Sequence, residues 1–168
     1  GILWDIRFNL SVSDLQQANP VEEIMSVLGA QTLLRPNRDV IGLLLAELYS
    51  NALEHGILEL SSDMKSTEEG FIEYYNQRKE RLNKLENAYI KISCKLLYDN
   101  DDELVLRIKM EDSGVGFDVD GLMERGGGDS FGRGVSLIHR VCKRTQYMKN
   151  GSAVETDFPV NQKLSEEI

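Results

Sequence analysis

Three groups of residues in this chain have types and spacings that could do chemistry. The first is Glu47, Asn51 and His55, in the run Leu44-Leu45-Ala46-Glu47-Leu48-Tyr49-Ser50-Asn51-Ala52-Leu53-Glu54-His55-Gly56. Read as a helix, their i, i+4, i+8 spacing puts them on one side, about a turn apart. Leu44, Leu45, Leu48 and Ala52 form an apolar stripe beside that row. The helix can therefore face a core while an acid, an amide and an imidazole border it, an arrangement that suits a cofactor. The second group is Asp112-Ser113-Gly114-Val115-Gly116, a charged residue followed by two spaced glycines. It gives a tight backbone path with little side-chain bulk. The third is Gly132-Arg133-Gly134, just before the apolar-periodic run Val135–Cys142. A helix that opens at a glycine pair presents free N–H groups to an anion. Taken singly, each group has a plain structural reading: a solvated polar row, a turn and a helix start.

The elements that must position these groups can be read from the same chain. Trp4, Ile6, Phe8 and Leu10 alternate with polar residues, which predicts a half-buried strand. Asn19-Pro20, with Glu22 and Glu23 in the first turn, starts a helix, and Gly29 ends it. Pro36-Asn37 leads into the organising helix, expected from about Asp39 to Leu53. Two alternating runs, Tyr89–Leu96 and Leu104–Met110, flank the turn Asp99-Asn100-Asp101-Asp102 and predict an antiparallel hairpin. That acidic turn lacks the loop helix and terminal glutamate of a calcium loop, so a solvated turn is expected. Residues 118–132, with Gly126-Gly127-Gly128 at their middle, read as a loop. Asn150-Gly151 signals a type I′ hairpin between Gln146–Lys149 and Ala153–Phe158, and the tail from Asn161 is polar.

Residues 57–88 form a different kind of segment. From Thr67 the pattern turns helical: Phe71, Tyr75, Leu82, Leu85 and Tyr89 recur at spacings of three, four or seven around the charged run Arg78-Lys79-Glu80-Arg81. The simpler expectation is a helical arm whose apolar stripe packs on its own domain. The alternative is a docking or dimerisation face.

Composition narrows the function classes. The chain has 168 residues, 41% hydrophobic and 28% charged, enough for one globular domain over 1–168 with its own core. A formal net charge of -9 repels phosphate backbones, which argues against a nucleic-acid partner but not against a nucleotide held by N–H groups and a metal ion. Cys94 and Cys142 sit in apolar runs and read as core residues. His55 and His139 have no partner at metal-ligand spacing. Neither a membrane-length apolar run nor a signal peptide is visible, so a cytoplasmic protein is expected. The chain opens on Gly1 rather than methionine, as a domain cut from a longer protein would.

The order of the motifs is the informative feature. A Glu/Asn helix, a hairpin, Asp-x-Gly-x-Gly, a glycine-rich loop, a Gly-x-Gly helix start and a closing hairpin together resemble the GHKL superfamily of ATPases and kinases. The resemblance covers about residues 4–160 apart from 57–88. It implies an α+β, two-layer α/β sandwich of the Bergerat (histidine-kinase-like ATPase) type, with a mixed, mostly antiparallel sheet and helices on one face. It also implies ATP and Mg²⁺ as cofactors. On matching positions, Asn51 would coordinate the Mg²⁺ and Glu47 would be the general base. Asp112 would accept from the adenine amino group, with Gly114 in the turn that follows. Gly116 would let the ring lie against the backbone, and Gly132 and Gly134 would cradle phosphates beneath a lid at 118–132. His55, Phe117, Arg133 and Val135 complete the implied nucleotide-binding set.

Within that superfamily the short domain, Asn51-Ala52-Leu53-Glu54-His55-Gly56 and the run Gly132–Ile138 are most similar to anti-sigma-factor serine kinases. Such domains also occur fused after a receiver and a protein phosphatase module. This likeness implies phosphorylation of a serine on an anti-sigma-factor antagonist protein, partner switching with a sigma factor, and a possible homodimer. The alternatives are an ATP-binding module that sequesters a partner without catalysis, and an ATPase or histidine-kinase-type domain; no phosphoacceptor histidine box is visible. The 57–88 segment departs from the short connection of these kinases and leaves the partner surface open.

Overall fold

The computed structural model describes residues 1–116 and 137–160. Strand β1 (Ile2–Leu10) is followed by a single helical turn, α1 (Val12–Leu15), whose Asp14 carboxylate accepts the Ser11 N–H at 2.8 Å. Helix α2 (Pro20–Leu28) begins as expected, with Pro20 at its start, the Asn19 side chain accepting from the Glu22 N–H, and Gly29 at its end. A 3₁₀ turn (Thr32–Asn37) leads into α3 (Arg38–Ser50).

The organising helix does not stop at Leu53. It continues from α3 as a π-helical segment, Asn51–Ile57, whose wider ring is seen in the Leu58 N–H bonding the Leu53 carbonyl at 2.8 Å. Such a segment adds a residue to the turn and re-aims the side chains around it. Here it leaves Asn51, Leu53, Glu54, His55 and Gly56 all buried. A sequence reading built on a uniform 3.6-residue period could not see it.

The 57–88 segment holds a 3₁₀ turn (Ser62–Ser66) and helix α4 (Glu68–Asn83), capped by the Thr67 hydroxyl accepting from the Gly70 N–H at 3.0 Å. The expectation that its whole apolar stripe packs inward needs correction. Tyr74 is fully buried, and Leu82 and Leu85 pack against the core. Phe71 and Tyr75, however, remain 49% and 45% exposed and meet edge-on at 4.9 Å. The helix is therefore anchored through Tyr74, one position out of phase with the Phe71/Tyr75 pair.

Strands β2 (Ile90–Tyr98), β3 (Leu104–Asp112), β4 (Arg144–Met148) and β5 (Ala153–Pro159) complete a five-stranded sheet in the order β1-β2-β3-β5-β4. Every pairing is antiparallel. The expected mixed sheet is thus antiparallel throughout the described residues. One face carries Ile92, Cys94, Leu96, Leu106, Ile108 and Met110, which join Leu44, Leu45 and Leu48 of α3 and Ile24 and Leu28 of α2 in one core. This α+β arrangement buries one side of the sheet under helices and leaves the other polar. The β4–β5 hairpin forms as expected, but its connection is longer than a two-residue turn. Met148 pairs with Ala153, and Lys149, Asn150 and Gly151 all have positive φ, at 51°, 57° and 92°. Residues 137–141 are helical, and Ile138 is fully buried in the core.

Candidate functional site

The site is built where the end of α3 meets the ends of β3 and β4. Asn51 sits at the junction of the α and π segments and is 6% exposed. Asp112 is the last residue of β3 and is 5% exposed. The two line one small cavity together with Leu48, Ala52, Met110, Ile138, Tyr147, Gly151 and Val154. Two residue groups far apart in sequence therefore meet in a single apolar-walled pocket. Its described space is about 10 Å³, room for about one water. An adenine ring needs more than this space.

Among the described residues two polar atoms in this cavity have no hydrogen-bond partner: Asn51 Oδ1 and the Tyr147 hydroxyl. A buried amide oxygen left unpaired costs about 1–3 kcal/mol, so it calls for a partner, either a water or a ligand group. Asn51 Oδ1 is a hard oxygen donor of the kind Mg²⁺ accepts. Among the described residues no cluster of three or more His, Cys, Asp or Glu could cage a metal. A cation here would rest on Asn51 and on oxygens of its own ligand, which is how Mg²⁺ is usually held beside phosphates.

Asp112 is fixed by its surroundings. Its N–H bonds the Ser152 carbonyl at 2.8 Å, and its Oδ1 accepts the Gly114 N–H at 2.8 Å. Burial pushes its carboxyl up to about 6; the Gly114 bond opposes that rise and the neighbouring Glu111 charge adds to it. Its carboxylate lies against Gly56, where a Cβ would come within 2.7 Å of Oδ2. Gly114 is required by the same close approach, since a Cβ there would lie 2.0 Å from the Gly56 carbonyl oxygen. Gly116 has φ 90°, and a Cβ on it would lie 2.1 Å from the Asn150 carbonyl oxygen. The glycine spacing thus serves the fold directly: it seats the strand end against α3 and the β4–β5 connection.

Glu47 lies one turn before Asn51 on α3 and is half-buried, outside the lining of the cavity. Burial raises its carboxyl; Lys65 lowers it and Glu54 raises it. Lys65 comes from the 57–88 segment, which therefore reaches the neighbourhood of Glu47. The anchor is Glu54. It accepts from the Tyr74 hydroxyl and from Ser50 Oγ at 3.0 Å, and lies 3.5 Å from Arg78 and 3.9 Å from Lys65. The Lys65 ammonium also sits 4.3 Å over the Tyr74 ring. His55 is buried, with Nδ1 2.7 Å from the Leu60 carbonyl oxygen, and it does not line the cavity. Its visible work is to hold the chain leaving the π segment.

The remaining expected site residues, Phe117, Gly132, Arg133, Gly134 and Val135, lie outside the described residues, as does the 118–132 loop. The structure adds residues that sequence reasoning passed over. Tyr147 lies in a strand run with nothing to mark it, and the sequence pattern assigns Glu54 and Lys65 no role of their own. Glu54 stood seven residues from Glu47, a two-turn spacing that could have placed both on one face. Among the described residues no helix is long and apolar enough to cross a membrane. No family model matches the chain and no curated protein matches it, so its activity has to be argued from this site.

Proposed function

We propose that the chain is an ATP- and Mg²⁺-dependent protein-serine kinase domain of the histidine-kinase-like (Bergerat) type, acting on an anti-sigma-factor antagonist protein and so controlling partner switching. The observation that carries this reading is the convergence of Asn51 and Asp112 on one buried cavity in which the Asn51 amide oxygen has no partner among the described residues. Asp112 would accept from the adenine amino group, and Asn51 would hold Mg²⁺ against the phosphates. The metal would supply charge neutralisation for phosphoryl transfer. Glu47, a turn away and raised toward neutrality by burial, would take the proton of the serine hydroxyl as its oxygen attacks the γ-phosphorus and ADP leaves.

A second reading, an ATP-binding module that sequesters a partner without catalysis, draws on the 57–88 segment packed close to Glu47. Calorimetry and transfer assays separate the two. Wild type should bind ATP only with Mg²⁺, and Asp112→Ala should lose that binding. Glu47→Ala should keep binding and lose ~10²–10⁴-fold in transfer of label from γ-labelled ATP to an antagonist-type protein. Binding without transfer by wild type selects the second reading, and no Mg²⁺-dependent binding refutes both.

A further inference from the structure

The uncovered face of the sheet carries a groove of about 240 Å³, lined chiefly by Arg7, Asn9, Lys91, Ser93, Lys95, Lys109 and one carboxylate, that of Glu111. A polar sheet face exposed to water normally interleaves charges of both signs, because opposite charges across strands stabilise and like charges do not. Along much of this face that rule holds. Arg107 bonds Asp157 at 2.8 Å, Arg144 bonds Glu155 at 2.5 Å, and Lys149 pairs with Glu111. In the lining of the groove, cations outnumber acids: Arg7, Lys91, Lys95 and Lys109 stand against Glu111. Lys91 stands between Asn9 and Glu111, and Glu111 is engaged by Lys149. Lys109 stands between Ser93 and Glu155, which Arg144 engages at 2.5 Å, and Ser93 stands opposite Arg7. Lys95 stands opposite Asp5, which Arg7 engages at 3.3 Å, and Arg107 on its other side is a further cation. Among the described residues Lys91, Lys95 and Lys109 make no carboxylate contact within 4 Å; Lys91 and Lys109 act on Glu111 from farther off, and the Lys91 ammonium lies 5.0 Å over the Tyr89 ring. This surplus persists on a chain whose net charge is -9.

We infer that this groove is a docking surface for an acidic polypeptide segment of a partner protein. The cations sit on neighbouring strands ~4.8 Å apart and at alternate residues ~6.6 Å apart, so the patch spans about four residues of extended chain. Each ammonium can take a carboxylate, while Ser93 and Asn9 offer hydrogen-bonding groups between them. A nucleic acid suits the patch less well. Its phosphates would run past so small a footprint onto an acidic surface that repels them. The inference does not depend on the kinase reading, since the groove is on the face of the sheet opposite the helices.

The test uses the whole chain and a fluorescein-labelled decaglutamate peptide, read by anisotropy. Wild type should bind, and binding should weaken severalfold between 50 and 200 mM salt. The Lys95→Ala/Lys109→Ala double variant should lose at least tenfold in affinity. Lys79→Ala, on α4 and away from the groove, should bind as wild type, and the urea midpoint of the double variant should match wild type. Equal binding by the double variant overturns the inference. So does tighter binding of a labelled ten-nucleotide oligothymidylate, which would make the groove a nucleic-acid site. So does self-association in sedimentation that the double variant abolishes, which would make the occupant a second copy of this chain.

Discussion

Replacing Asp112 by asparagine should make the folded protein more stable at neutral pH while damaging nucleotide recognition. The side chain is 5% exposed, and among the described residues no cation lies against it; its supports there are one N–H bond and the Gly56 backbone. Burial raises its carboxyl from 3.8 to about 6, so the folded state holds this proton more tightly than the unfolded chain. The sign follows. Protonated Asp112 favours folding below about pH 3.8, and that advantage is lost as pH rises through about 6. At ~1.4 kcal/mol per pH unit, keeping the carboxylate ionised at pH 8 costs roughly 3 kcal/mol. Asparagine has nearly the same shape, can still accept the Gly114 N–H, and carries no charge. Asp112→Asn should therefore gain up to about 3 kcal/mol at pH 8 and roughly half of that at pH 5. Urea unfolding of both proteins at the two pH values measures this. No gain at pH 8, or an equal gain at pH 5, would refute the claim that an uncompensated buried charge sits at the end of β3.

The same group sets a pH dependence for ligand binding: ATP affinity should fall as pH drops below about 6, because a protonated Asp112 no longer accepts from the adenine amino group. Calorimetry between pH 8 and 5 would show it, and a flat profile would exclude Asp112 as the acceptor. Tyr74→Phe removes the hydroxyl that bonds Glu54 and should cost about 1.5–3 kcal/mol in urea unfolding, because the acceptor is a buried carboxylate. Protease sensitivity should rise within α4 if that bond ties the segment down. Gly114→Ala drives a methyl to 2.0 Å from the Gly56 carbonyl oxygen and should destabilise by about 3 kcal/mol; a loss under about 0.5 kcal/mol would show that the strand end shifts freely.

The periodic parts of the chain were readable in advance. Alternation gave β1, β2 and β3 to within two residues at each end, and Asn19-Pro20 and Gly29 bracketed α2. Asp112 and Asn51 could be paired as candidates only through the order of motifs that resembles the GHKL superfamily, since glycine spacing and helical phase each mark one group alone. The contacts that matter around them are not local. Nothing in a 3.6-residue pattern announces a π segment. Nothing near Asn150-Gly151 announces that Lys149 will also take positive φ and lengthen the turn. The burial of Glu54 depends on Tyr74 arriving from twenty residues away, and sequence alone offers a charged residue there only a solvated reading. Tyr147 is a site residue solely because β5 threads between β3 and β4 and brings that hairpin beside Asn51.

The π segment also makes residue number, and not just residue identity, a constraint on this protein. Seven residues from Asn51 to Ile57 span the distance between the body of α3 and the chain that Leu60 and His55 tie down. Deleting one of them would let the segment relax to ordinary α-helix, closing the wide turn that now seats Glu54 and Gly56. The Tyr74–Glu54 bond and the Gly56–Asp112 contact would then have to re-form on a turn with one residue fewer. A single-codon loss in this stretch should thus be more harmful than most substitutions within it, and homologues are expected to vary in spelling here long before they vary in length.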